Sequence, residues 1–197
     1  AEAIAAYGRA STACQRLGDR RGLAQAHQNL AINFRETGLP REAHAHFREA
    51  MAHARATDSQ DILAGAAVER AVLLLMTGDP AMARATARRA LKRFEAIGDA
   101  AGRGDSLRVL GHVELATGHL DEARSHLEDA LDLARSASDA LLEAETLATL
   151  AAVYRRTGET DLADQTTQAA EAIFHRLGAT AWGARLHERL AAPVAAG

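Results

Sequence analysis

The chain has 197 residues, 48% of them hydrophobic but only 4% aromatic, so its core must be built from small and aliphatic side chains. A net charge of -3 gives the chain as a whole no electrostatic footprint for nucleic acid. Cys14, the only cysteine, excludes an intramolecular disulfide, and the longest aliphatic run, 71–76, is far short of a membrane span.

Three prolines and few β-branched residues favour helix, and ten helical segments are predicted. The first, 1–17, carries Ala3, Tyr7 and Ala10 and ends at Gly18-Asp19. The second, 22–37, ends at Thr37-Gly38. The third, 40–56, opens on Pro40 and Glu42 and stops at Thr57-Asp58. The fourth, 60–77, is apolar nearly all round, from Val68 through Ala71, Val72, Leu74 and Leu75 to Met76. Asp79 and Pro80 then read as an N-cap and a first helical residue for the fifth, 80–97. The sixth is predicted over 103–117, because Gly102 and Gly104 weaken an earlier start. The seventh, 120–137, shows Leu120, Ala123, Leu127, Ala130, Leu131 and Ala134 at helical spacing. The last three run over 140–157, 160–177 and 180–192, and Pro193 breaks the tenth.

These segments repeat. Thr37-Gly38 recurs as Thr77-Gly78, Thr117-Gly118 and Thr157-Gly158, a spacing of 40 residues. Ala43, Ala83, Ala123 and Ala163 keep the same register, as do Ala50, Ala90, Ala130 and Ala170. A second turn series runs through Gly18-Asp19, Thr57-Asp58, Gly98-Asp99, Ser138-Asp139 and Gly178-Ala179. Each period therefore holds two helices and two turns, and a glycine after the last helical residue closes most of them.

The second helix of each period has Ala, then a residue four later that is larger in three of the four, then Ala three after that. The sets are Ala43-Phe47-Ala50, Ala83-Ala87-Ala90, Ala123-Leu127-Ala130 and Ala163-Thr167-Ala170. First helices carry Leu30, Ala31 and Phe34, then Leu110 and Gly111, then Leu150, Ala151 and Tyr154. This pattern resembles tetratricopeptide repeats, and it covers nearly the whole chain. The usual period is 34, so each unit here is about six residues longer. Long-period arrays of this kind look like the C-terminal arms of bacterial NB-ARC or MalT-type and antibiotic-pathway transcriptional regulators. Heavy use of Ala, Arg, Gly and Leu fits a bacterial gene.

The resemblance implies an all-α, right-handed α-solenoid of about five helix-turn-helix repeats with one continuous core over 1–197. In that reading 1–17 is the second helix of an incomplete first repeat and 180–192 a capping helix. The chain is then expected to be an arm of a larger protein. Arg70 and Glu114 stand where other repeats have Leu30, Leu110 and Leu150, or Phe34, Leu74 and Tyr154. The two charges are expected to reach water or to pair with each other across neighbouring first helices.

In the family the first helices line a concave groove that holds the ligand. Carried over residue by residue, the groove-facing set is Gln25, Gln28, Ile32 and Arg35, then Val68, Val72 and Leu75. It continues with Asp105, Arg108, His112 and Leu115, and ends with Glu145, Arg155 and Arg156. The Lys/Asn pair of chaperone-tail clamps is missing: Gln28/Ile32, Val68/Val72, Arg108/His112 and Ala148/Ala152 occupy those places. The apolar stripe from Val68 to Met76 is either deeper packing or a docking patch.

Reaction chemistry is not visible. There is no Gly-rich phosphate loop, no H-E-x-x-H and no G-x-S-x-G. His44 and His46 point to different faces of a helix, and His46 and His53 lie two turns apart. His112, His119 and His126 fall on a helix, a turn and another helix. No metal, cofactor or catalytic residue is therefore expected. The basic stripe Arg84, Arg88, Arg89, Lys92 and Arg93 reads as a solvated outer face. The sequence thus predicts a non-catalytic cytoplasmic module that binds a protein or peptide, without direct nucleic-acid or membrane contact. A sensor of a small signalling peptide or metabolite and a homodimerisation module are the alternatives.

Overall fold

The computed structural model describes residues 2–191, apart from the side chains of Arg189 and Ala191. Position 1, position 192 and the helix break at Pro193 lie outside the described residues. Within them the chain is helical, with ten helices and no strand. These are α1 (Glu2–Leu17), α2 (Arg20–Glu36), α3 (Pro40–Ala56), α4 (Gln60–Met76) and α5 (Pro80–Ile97). They are followed by α6 (Ala100–Thr117), α7 (Leu120–Ser136), α8 (Ala140–Thr157), α9 (Thr160–Arg176) and α10 (Thr180–Ala191).

Two helices start earlier than predicted. α2 begins at Arg20 rather than 22, and α6 at Ala100 rather than 103. The cause is capping. Asp19 Oδ1 accepts the Gly22 N–H at 2.8 Å, and Asp99 Oδ1 accepts the Gly102 N–H at 2.9 Å. An aspartate N-cap contributes about 1 kcal/mol, enough to outweigh a glycine in the first turn. A Cβ on Gly22 would lie 2.3 Å from Asp19 Oδ2 and 2.6 Å from Cys14 Sγ, so the cap itself needs this glycine. Asp79 caps α5 as predicted, accepting the Met82 N–H at 2.9 Å.

The Thr-Gly turns explain their own recurrence. Gly38, Gly78, Gly118 and Gly158 have φ of 75°, 85°, 86° and 85°. That conformation lets the next residue's N–H reach back to a carbonyl at 2.9 Å in all four turns, as Leu39 does to Phe34. The threonine hydroxyls cap the same ends, donating to Asn33, Leu73, Val113 and Val153 carbonyls at 2.9, 3.0, 2.9 and 3.3 Å. In the alternate turns two non-glycine residues take the left-handed region, Asp58 at φ 50° and Ser138 at φ 55°.

Helices pack in chain order inside two compact units, 1–97 and 98–197. In the first, α1 packs on α2, α2 on α3, α3 on α4 and α4 on α5, and α2 also meets α4. In the second, α6 packs on α7, α7 on α8 and α8 on α9; α6 also meets α8, and α10 meets α8 and α9. The repeated alanines are the seam. Ala43, Ala50, Ala83, Ala90, Ala123, Ala130, Ala163 and Ala170 are all completely buried. Phe47 shares a core cluster with Ala43, Ala50, Ala31 and Leu73 and is completely buried, worth about 3 kcal/mol of apolar burial. Gly111 brings α6 close to α7: a Cβ there would sit 2.5 Å from Leu127 Cγ and 3.2 Å from the Ala123 carbonyl.

Candidate functional site

The predicted groove residues divide between the two units. In the first unit Gln25 is exposed, and Gln28 and Ile32 are half-buried. Ile32 packs beside the cluster of Ala31, Phe47 and Leu73. Arg35 is buried at 5% exposure. Its guanidinium reaches Glu69 Oε2 at 2.5 Å and Glu36 Oε1 at 3.0 Å, and it also donates to the Glu69 carbonyl at 3.3 Å. Burial opposes the charge, but Glu69 and Glu36 more than offset it and hold the Arg35 pKa above the ordinary arginine value. The residue is thus a tie between α2 and α4.

Val68 and Leu75, expected on the open face, are core residues at 1% and 4% exposure. Val72 is half-buried and only Met76, at 43%, is well exposed. A helix with apolar residues on every side is buried on several faces, and α4 follows that rule. The stripe from Val68 to Met76 is therefore mainly packing.

In the second unit three of the predicted residues, Asp105, Arg108 and Glu145, sit in one polar cluster. The Arg108 side chain holds Asp105 Oδ1 at 2.6 Å and Glu145 Oε2 at 3.2 Å. Trp182 on α10 donates its indole N–H to Glu145 Oε1 at 2.6 Å. Arg108 and Glu145 are 9% and 8% exposed, while Asp105 and His112 are half-buried. A charge pair this deep persists only with good geometry and added hydrogen bonds, and the cluster supplies both. Leu115, also expected on the open face, is buried at 4%; its carbonyl accepts a hydrogen bond from Arg156 at 2.5 Å. Arg155 is exposed and donates to Thr167 at 2.6 Å. Glu114 is buried at 4%, and its carboxylate faces His119 Nδ1 at 3.3 Å, so it does not carry its charge to water. Arg70 is half-buried, and its Nε makes no hydrogen bond.

Trp182 was not among the predicted site residues. Its signal was present: it is the chain's only tryptophan, and it stands 40 residues after Leu142 at the opening of a first-type helix. His27 was also missed. It sits between His46 and His53, two histidines whose separation along α3 kept them apart in the sequence reading. Among the described residues no three histidine, cysteine or acidic side chains form a metal-holding group, and no helix is long and apolar enough to cross a membrane.

The tetratricopeptide repeat family model matches residues 1–56, 63–136 and 110–176. The chain belongs to the tetratricopeptide repeat family. Two solved structures share the fold of these repeats. BtubC (BKLC) from P. vanneervenii aligns with a TM-score of 0.71 at 17% identity, over 96% of this chain and 88% of its own. A Rap protein complexed with Competence and Sporulation Factor aligns with a TM-score of 0.68 at 17% identity, over 95% of this chain and 57% of its own. No curated protein matches. In this tetratricopeptide repeat chain, as the helix order requires, α2, α4, α6 and α8 are the first helices of their repeats and α3, α5, α7 and α9 the second.

Proposed function

We propose that this is a non-catalytic interaction module that binds a segment of a protein partner along its first helices. The observation that supports this most is the Asp105–Arg108–Glu145–Trp182 cluster. It fixes charged and hydrogen-bonding groups in place on three helices before any ligand arrives. Pre-set polar groups lower the ordering cost of binding and give orientation to an incoming backbone. Half-buried Asp105 forms its accessible edge, and half-buried His112 follows Arg108 by one turn of α6, while exposed Arg155 and Arg156 stand at the far end of α8. In the first unit Gln25, Gln28 and Ile32 present amide and aliphatic surface suited to an extended peptide. The module belongs, in this reading, to a cytoplasmic bacterial signalling or transcriptional regulator of the type the long repeat resembles. It contacts partner protein and leaves nucleic acid and membrane to other domains.

A second reading, that the face takes a small signalling factor, draws support from the Rap protein of the same fold, whose structure is a complex with Competence and Sporulation Factor. One experiment serves both readings. Peptides are selected from a random display library against the folded chain and titrated by the emission of Trp182, the only tryptophan. Saturable binding that shifts this emission and weakens at least tenfold in Asp105→Asn or His112→Ala is the expected result. Failure to select any saturable binder, or binding indifferent to both substitutions, would overturn the proposal.

A further inference from the structure

We propose that His27, His46 and His53 form a proton-operated latch that holds α1 against the α2–α3 pair at neutral pH and releases it in mild acid. The three rings meet although they come from two helices. His27 Nδ1 lies 2.9 Å from His46 Nδ1, with ring centroids 5.1 Å apart. The His53 ring stacks on His27 at 5.7 Å with 19° between planes. Phe34 stacks on the opposite partner, His46, at 5.1 Å and 3°, and fixes that ring in place. On the far side, His27 Nε2 faces the Ser11 hydroxyl of α1 at 3.5 Å.

At a separation of 2.9 Å the two Nδ1 atoms can share only one hydrogen: one ring donates and the other must accept. Either ring can fill either role: where His27 Nδ1 accepts, its Nε2–H points to the Ser11 oxygen, and where Nδ1 donates, the Ser11 hydroxyl donates to Nε2. A single added proton leaves one donor and one acceptor, but a second removes the acceptor and sets two N–H groups against each other. The rings cannot both become cations and keep this arrangement.

The surrounding charges leave this conflict in place. Burial disfavours the charged form of both His27 and His46, and the neighbouring His46 and His53 add to the effect on His27. From α3, Glu49 acts the other way on both rings without cancelling it. α1 contributes the uncharged Ser11 hydroxyl. On the α4 side, Arg70 acts on His44, another ring of α3, and holds it down as well, after burial. His27 and His46 therefore resist protonation in the folded chain. Their contribution to stability is complete above the ordinary histidine value of 6.5 and is lost as pH falls from there through the lowered values.

Which helix moves follows from how each is held. α2 and α3 share a buried core with Ala31, Ala43, Phe47 and Ala50, so His27 cannot part them cheaply. α1 has no buried residue and packs on α2 alone. The ring that swings outward swings toward the element with the least holding it, and local opening begins there.

The test is amide hydrogen exchange on the full chain at pH 7.5 and 5.5, corrected for the intrinsic rate. Protection of α1 is expected to fall at least tenfold more than protection of α3. His27→Gln and His46→Gln are each expected to flatten that difference, and His44→Gln to leave it as in the wild type. Imidazole titration by NMR is expected to place His27 and His46 below 6.5. Equal loss of protection over α1 and α3, a wild-type pH response in both the His27 and His46 glutamine variants, or His27 or His46 titrating at or above 6.5 would overturn the latch.

Discussion

Both units bury an arginine against two carboxylates, and they do so at different points of the repeat. Arg35 lies in the last turn of α2 and joins Glu36, its neighbour in sequence, to Glu69 on α4. Arg108 lies in the middle of α6 and joins Asp105 on its own helix to Glu145 on α8. The second is extended by a third helix, through the Trp182 N–H. The Glu69 side chain keeps 23% exposure, against 10% for Glu145. Arg35 is the more deeply buried arginine, but its partner Glu69 reaches water more than Glu145 does, and the more enclosed Glu145 takes a further hydrogen bond from α10. The same residue type thus ties two helices in one unit and belongs to a three-helix polar cluster in the other.

The difference has measurable size. Glu145→Ala removes both a partner of Arg108 and the acceptor of Trp182, and it is expected to destabilise by about 3 kcal/mol, read by urea unfolding followed at Trp182. Glu69→Ala leaves Arg35 with Glu36, so about 2 kcal/mol is expected by far-UV circular dichroism. A larger loss at Glu69 than at Glu145 would break the comparison.

The glycines sharpen it further. Gly111→Ala drives a methyl group into Leu127 and the Ala123 carbonyl and is expected to lose about 2 kcal/mol. Gly65→Ala in the first unit meets only the movable end of Gln28, at 3.3 Å. There the helix-propensity gain of up to about 1 kcal/mol is expected to prevail, raising Tm. Destabilisation at both sites would mean that α4 is as tightly apposed as α6. The smallest effects belong to the alternate turns. Asp58→Gly and Ser138→Gly each relieve a left-handed non-glycine residue and are expected to stabilise by about 1 kcal/mol, one in each unit.

Much of this was legible in advance for a physical reason. The Thr-Gly turns, the alanine seam and the helix count are local: each needs only backbone geometry and neighbours a few residues away. Boundaries slipped where two local rules competed, as at Asp19 and Asp99, whose caps outweighed the glycines that follow. The site was less legible. Offsetting the groove stripe from the core stripe works when a helix has one buried side, and it placed Gln25 and Asp105 at accessible positions. On α4 and α6 it also selected Val68, Leu75 and Leu115, because these helices are buried on several sides.

The sequence by itself determined the forty-residue rhythm, the helix pairs and their small-residue seam, because periodicity and capping are written in short-range spacing. Tertiary structure alone decided which charges meet. Arg108 and Glu145 stand 37 residues apart, as do Glu145 and Trp182, and His27 and His46 are 19 apart on different helices. Such pairs depend on how helices turn and stack, and no local rule carries that information.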